Sequence, residues 1–294
     1  MGLSAMVLEV LAPVFALAVA GAVWVRSGLS FPADFVSRLA LVLATPPLLF
    51  VTLARAELDA ARVGALVGAA LLAYALAGAA IWAGLRLTGR PARVWLVPLV
   101  NGNTGNLGLP VALFALGEPG LAAAIAVFAV QAVMTFTVGL WIASGEPSPR
   151  AALRQPIFYG ALAGFAAGLM DWAPPLAVMR TLELVGQLSI PLMLLALGAS
   201  VARMRVRGAG EAAALTFLRL IPCGLAGWAA AEAFGLEPVS YQVLILQMLM
   251  PAAVTSLMLA QRYELAPERI GPLVAVSNLL AAGYLAVALP LVIR

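Results

Sequence analysis

Apolar runs of roughly 20 residues, each long enough to cross ~30 Å of hydrocarbon as a helix, recur along the whole chain. Short polar connections separate them, and the longest is Ser144 to Gln155. A water-soluble fold needs charge on its surface, and globular domains carry about 25% charged residues. Here Asp, Glu, Lys and Arg make up 10% of the chain, hydrophobic residues 64%, and mean hydropathy is +1.04. Lipid as solvent accounts for all of these features. Without hydrogen-bonding solvent, a spanning segment must satisfy its own backbone, which leaves helices or closed barrels. Runs of this length select helices.

Ten spans are expected, near 5–25, 36–54, 63–85, 94–116, 120–143, 156–172, 177–200, 212–235, 240–261 and 270–292. A cleavable signal carries positive charge before its apolar core. No Lys or Arg precedes Arg26, so the first run is read as a mature helix. Arginine then sets orientation. Connections after odd-numbered spans hold Arg26, Arg38, Arg86, Arg90, Arg93, Arg150, Arg154, Arg203, Arg205, Arg207, Arg262 and Arg269. The opposite side holds only Arg55, Arg62, Arg180 and Arg294. Basic loops stay in the cytoplasm, so both termini are expected outside the cytoplasmic (inner) membrane of a bacterium. Trp24, Trp95 and Trp141 lie beside the basic ends, where interfacial indoles are expected. The net charge of +4 therefore belongs to loops and does not indicate nucleic-acid binding.

Histidine is absent and Cys223 is the single cysteine. His-dependent triads, HExxH zinc sites and intrachain disulfides are excluded, and neither an enzyme nor a metal site is expected.

The two halves echo each other. Pro13 and Pro156, and Pro32 and Pro175, are 143 residues apart. Thr45-Pro-Pro47 matches Ser189-Ile-Pro191 at an offset of 144, and Pro110 matches Pro251 at 141. Five spans per half is an odd number, so the second half (156–294) enters from the face opposite to the first (1–143), with 144–155 as a cytoplasmic linker. Inverted repeats of this kind are a common plan of secondary transporters.

Two spans are interrupted at their centres. Asn101-Gly-Asn103-Thr104-Gly105-Asn106-Leu-Gly108-Leu-Pro110 is a poor helix, and intramembrane polar clusters are usually functional. Its counterpart is Gln247-Met-Leu-Met-Pro251-Ala-Ala-Val-Thr255-Ser256. Pro favours the first turn of a helix, so Pro110 and Pro251 are each expected to open a second half-helix. If the breaks cross, two helix N-termini face one site and form an anion site without a buried Arg. The carbonyl ends of the first half-helices would suit a cation. Gly160, Gly164 and Gly168 have the spacing of close helix packing. Gln131 and Ser277-Asn278 are either substrate contacts or interhelical hydrogen bonds. Arg219, within a span, is expected to snorkel to the cytoplasmic surface. Glu9 and Glu183 lie in or near spans but outside both breaks.

Asn103–Pro110 (NTGNLGLP) resembles the first-crossover motif of the auxin efflux carrier family, which includes plant PIN proteins and bacterial organic-acid permeases. Met250–Ile270 (MPAAVTSLMLAQRYELAPERI) is similar to the family's second crossover and its sequel. The resemblance runs through the whole chain. It implies an all-α polytopic fold shared with bile acid–sodium symporters, with crossed broken helices 4 and 9. It also implies a scaffold of helices 1, 2, 6 and 7, often a homodimer contact, and a moving core of helices 3–5 and 8–10. The implied function is elevator-type transport of small carboxylates such as malate, malonate or auxin-like aromatic acids, with an anion channel or ligand sensor as the alternative. Together with the two broken motifs, it gives the expected substrate contacts as Asn103, Thr104, Gly105, Asn106, Pro110, Gln131, Pro251, Thr255, Ser256 and Asn278. Asn103 takes the place of the crossover Asn that touches substrate carboxylate in plant members. This chain has Thr255 where many bacterial members carry Asn. No cofactor is implied beyond a coupling Na⁺ or H⁺.

Overall fold

A computed structural model describes residues 3–56, 59–145, 154–204 and 208–293. The helices are α1 (Leu3–Arg26), α2 (Ala33–Arg38), α3 (Thr45–Arg55), α4 (Ala60–Leu87), α5 (Ala92–Val100), α6 (Leu109–Met134), α7 (Leu140–Ser144), α8 (Pro156–Leu169), α9 (Leu176–Gly186), α10 (Ser189–Arg203), α11 (Ala209–Ala233), α12 (Pro238–Met248), α13 (Val254–Arg262) and α14 (Pro267–Val292). Wide π-helical turns at Leu39–Ala44, Thr104–Gly108 and Thr135–Gly139 join neighbouring segments. Among the described residues there is no strand, only an isolated antiparallel bridge between Gly102 and Ala252. Of the arginines used for orientation, Arg150, Arg205, Arg207 and Arg294 lie outside the described residues, as does most of the linker.

Seven helices among the described residues are long and apolar enough to cross a membrane. One of them, Thr104–Ser144, is 41 residues long. As a straight helix it would extend roughly 60 Å, about twice the hydrocarbon thickness. It does not run straight. Gly117 adopts φ 67° and ψ −161° just before Glu118-Pro119 and separates 109–116 from the segment that follows. A left-handed φ favours glycine, so this one residue divides the run where the sequence predicts a turn between two spans.

Two prolines act through the turns that precede them. A proline inside a helix lacks an N–H and its ring presses on the carbonyl four residues back. The π turn Leu39–Ala44 lies just before Pro46, and the π turn Thr104–Gly108 just before Pro110. A wider turn skips the bond that proline cannot make. This corrects one expectation. The second half-helices begin at Thr104 and Val254, not at Pro110 and Pro251. Pro110 sits one turn into its half-helix. Pro251 lies in the extended link, where it has no helical N–H to lose.

Backbone approaches hold one group of helices tightly. α1 lies along α10, with Gly21 against the Leu195 backbone and Gly198 against the Ala18 backbone. α3 lies along α8, with Gly160 and Gly164 against the backbones of Pro46 and Phe50, and Gly186 of α9 seats on Leu48. The packing reading of Gly160 and Gly164 holds for this reason. Thr45 and Ser189, both fully buried, share a hydrogen bond of 2.8 Å. α11 packs along α4, α12 and α14, around which the remaining elements gather.

A Cβ on Gly198 would lie 1.7 Å from the Ala18 carbonyl oxygen, whereas one on Gly78 meets nothing within 4 Å. Gly198→Ala is expected to destabilise the protein by at least the ~1–3 kcal/mol typical of overpacking. Gly78→Ala should be neutral or slightly stabilising. Thermal unfolding in detergent measures both.

Candidate functional site

The two interruptions meet. After α5 the chain runs extended through Asn101 (φ −72°, ψ 111°), and after α12 it runs through Leu249–Ala253 before α13. The Asn103 N–H donates to the Pro251 carbonyl at 2.6 Å, and the Ala253 N–H donates to the Asn101 carbonyl at 3.1 Å. Each break thus supplies the partner that the other lacks. Unpaired backbone groups away from water are costly, so this reciprocal pair is the condition on which two broken helices can exist side by side.

Side chains satisfy the remaining groups, and both breaks are served alike. Gln131 Nε2 donates to the Gly102 carbonyl at 2.6 Å, while its Oε1 accepts from the Tyr74 hydroxyl at 2.8 Å. Asn278 Nδ2 donates to the Ala252 carbonyl at 2.9 Å, and Ser277 Oγ accepts from the Ala252 N–H at 3.1 Å. Asn103 Nδ2 donates to Asn278 Oδ1 at 2.9 Å, which ties the first break to α14. Gln131 and Ser277-Asn278 are therefore interhelical hydrogen-bonding residues, one of the two readings that their sequence allows. Asn103, Gln131, Pro251 and Asn278 form one connected network. An amide carries two N–H donors, so Asn103 keeps one beyond its bond to Asn278.

The other expected site residues line the starts of the second half-helices. Thr104 and Ser256 are 0% and 1% exposed, and neither hydroxyl has a hydrogen-bond partner. Asn106 and Thr255 are half-buried on the same first turns. Gly105 faces the Phe128 ring, and a Cβ there would come within 2.9 Å of it. The buried Pro110 follows one turn later.

Two expectations are corrected. Arg219 does not snorkel. It is 1% exposed, its Nε donates to the Leu99 carbonyl at 2.8 Å, and Nη1 donates to the Met250 carbonyl. It lies ten residues into α11, roughly 15 Å along the axis, too deep to reach an aqueous surface. Trp95 lies beside a basic end as expected, but it turns into the protein and not outward as an interfacial indole would. It is 1% exposed, with the guanidinium groups of Arg269 and Arg90 at 4.9 and 5.7 Å from its ring. Both arginines also bind Glu211, at 2.9 and 2.5 Å.

Tyr74 and Tyr284 escaped the sequence reading, whereas Asn101 and Gln247 mark the starts of the two interrupted motifs. Tyr74 stands in an Ala- and Leu-rich helix, and its hydroxyl was the available clue. The Gln247 amide is buried with both polar atoms unpartnered. It lies against Gly108, where a Cβ would come within 2.1 Å of Gln247 Oε1. The Asn101 amide nitrogen is likewise unpartnered. Tyr284 donates to the Leu249 carbonyl at 3.1 Å.

A cavity of about 1530 Å³ opens beside this network without being lined by either break. Its walls are mainly apolar and come from α3, α4, α6, α8 and α9. Arg55, Arg62, Glu183 and Glu237 stand along it, paired as Arg55–Glu183 and Arg62–Glu237. Its wall reaches Val130, the chain neighbour of Gln131.

The membrane transport protein family profile matches residues 6–151 and 141–289. The chain belongs to this family, the auxin efflux carrier family of the resemblance above. It is similar to a Rhizobium meliloti protein named "Putative malonate transporter", with 25% identity over 61% of each chain. It is also similar to uncharacterized transporters of Methanocaldococcus jannaschii (28% identity over 56% of each chain) and Methanothermobacter thermautotrophicus (26% over 85% of each chain). The chain thus spans about three fifths of the length of the first two relatives. Family and apolar helices together make it a multi-pass membrane protein.

Gln131→Leu would strand the Gly102 carbonyl and the Tyr74 hydroxyl. The expected loss is roughly 1–3 kcal/mol for each orphaned group. Adding Tyr74→Phe removes one orphan, so the double variant should be less destabilised than the sum of the singles. Thermal unfolding of the three variants checks this.

Proposed function

We propose that this protein is a secondary transporter of small organic anions that works by elevator-type alternating access. The observation that carries the reading is the pair of second half-helices that start beside one another with the buried Thr104 and Ser256 hydroxyls unpartnered. The first N–H groups of a helix have no intrahelical partner, and each N-terminus carries roughly half a positive charge. Two such ends with two free hydroxyls suit a carboxylate. The malonate named for one relative supports a small dicarboxylate as the first substrate to try.

Ten spans in two inverted five-helix repeats fit the elements, counting α5 with 104–116 and α12 with α13 as the two broken spans. Pseudo-symmetry supports the repeat. Thr45 and Ser189, equivalent at an offset of 144, bond to each other, as mates on a twofold axis would. Gln131 serves Gly102 as Asn278 serves Ala252.

Charge pairing supports a panel of α1–α3 and α8–α10 sliding against a core of α4–α7 and α11–α14. Arg55–Glu183 lies within the panel, and Arg62–Glu237 and Arg90–Glu211–Arg269 lie within the core. An apolar cluster joins the two groups: Val10, Val14 and Leu194 pack with Leu107, Val111 and Leu285. Apolar contacts are non-directional, so one register can replace another without stranding a polar group. With the arginine-rich side in the cytoplasm and both termini outside an inner membrane, the cavity faces outward. The Arg90–Glu211–Arg269 cluster then closes the cytoplasmic end of the core.

Counterflow of labelled malonate, malate and an aromatic carboxylate into proteoliposomes tests the reading. Exchange with unlabelled substrate is expected of a carrier. Flux without exchange indicates a channel, and binding without flux a sensor. If no carboxylate binds or moves, the anion reading fails. Thr104→Val should leave thermal stability unchanged or raise it, since it removes an unsatisfied hydroxyl. It should also weaken carboxylate affinity about tenfold, the value of one hydrogen bond to a charged group.

A further inference from the structure

Arg219 is the one charged side chain fully buried among the described residues. No carboxylate is near it in the breaks, and among the described residues no cluster of three or more Cys, Asp or Glu side chains stands ready for a metal ion. Its partners are backbone carbonyls. Leu99 is the penultimate residue of α5, and Met250 follows the end of α12, so both acceptors belong to the C-terminal ends of the first half-helices. Each C-terminus carries roughly half a negative charge. Two converging ends therefore present about one negative charge, and one guanidinium neutralises it. In transporters with broken helices, such carbonyl ends are where a coupling cation binds.

We infer that Arg219 is the resident cation of the crossover. It permanently occupies the carbonyl ends that an exchangeable Na⁺ would otherwise use, so the two breaks hold their geometry, and the protein moves its substrate, without bound Na⁺. The structural half of this inference depends only on contacts in this chain. The transport half rests on the proposed carrier function. Arg219 acts as a positioning residue, since it holds both breaks through Leu99 and Met250. Nη2 of the guanidinium is unpartnered, so Leu99 and Met250 are its backbone carbonyl anchors.

The test uses purified full-length protein and variants at constant ionic strength. Thermal unfolding is followed in NaCl, in choline chloride and in choline chloride with millimolar guanidinium. The wild type should melt at the same temperature in Na⁺ and choline. Arg219→Ala should melt lower, and Na⁺ or guanidinium, but not choline, should restore part of the loss in a saturable way, because a ligand that binds only the folded state raises its stability. Saturable stabilisation of the wild type by Na⁺ would overturn the inference, as would an Arg219→Ala protein indifferent to all three cations. Should Arg219→Ala not fold, Arg219→Lys and Arg219→Gln decide: the inference requires the charged Lys variant to be the more stable, and equality sinks it. In proteoliposomes, wild-type counterflow should be equal in Na⁺ and choline. Loss of flux in choline overturns the transport half. Absence of flux in every salt is a failure of the carrier reading and leaves the melting comparison to decide on Arg219.

Discussion

Two helices interrupted within a multi-pass membrane protein can coexist only if their loose peptide groups find partners, and the rest of this structure depends on how that is met. Asn103 and Ala253 donate to Pro251 and Asn101, so each break completes the other. What remains is supplied by Gln131, Ser277 and Asn278, each buried at a point where α6 or α14 passes a break. Arg219 then gathers the carbonyl ends. These residues are polar because the backbone beside them is not helical. Elsewhere the same helices are almost wholly apolar, since an intact helix satisfies itself.

A second economy governs the helices outside the crossing. α1 against α10 and α3 against α8 approach until backbone touches backbone, at glycines whose Cβ would overlap a carbonyl. In lipid, apolar side chains gain little by leaving solvent, and close packing is what holds helices together. Between these helices and the crossover group lies a cluster of buried apolar side chains, and the ion pairs described above fall within one group or the other.

Prolines and glycines made much of this readable. The Asn–Gly cluster marked the first break, and an equivalent Pro marked the second. Yet Pro110 and Pro251 do different jobs. One follows a π turn and the other lies in an extended link, so a shared residue type did not give the half-helix starts. Gly117 was legible as a turn because its neighbours are Glu118 and Pro119. Tyr74 was not legible. A lone polar residue on an apolar helix reads the same whether it meets lipid, a neighbour or a break.

Arg219 shows where the boundary falls. Hydropathy and length determined the solvent and the helical class, because lipid penalises unpaired backbone wherever it lies in the chain. Repeat spacing and the broken motifs determined that two interruptions exist. Whether they touch, which carbonyls end up without partners, and which side chains answer them are properties of residues 25 to 175 positions apart, brought together by packing. One sequence cannot show these contacts. By its sequence Arg219 was a long cation with a surface to reach. The tertiary structure set two helix ends against it, and the field of those carbonyls holds its charge inside.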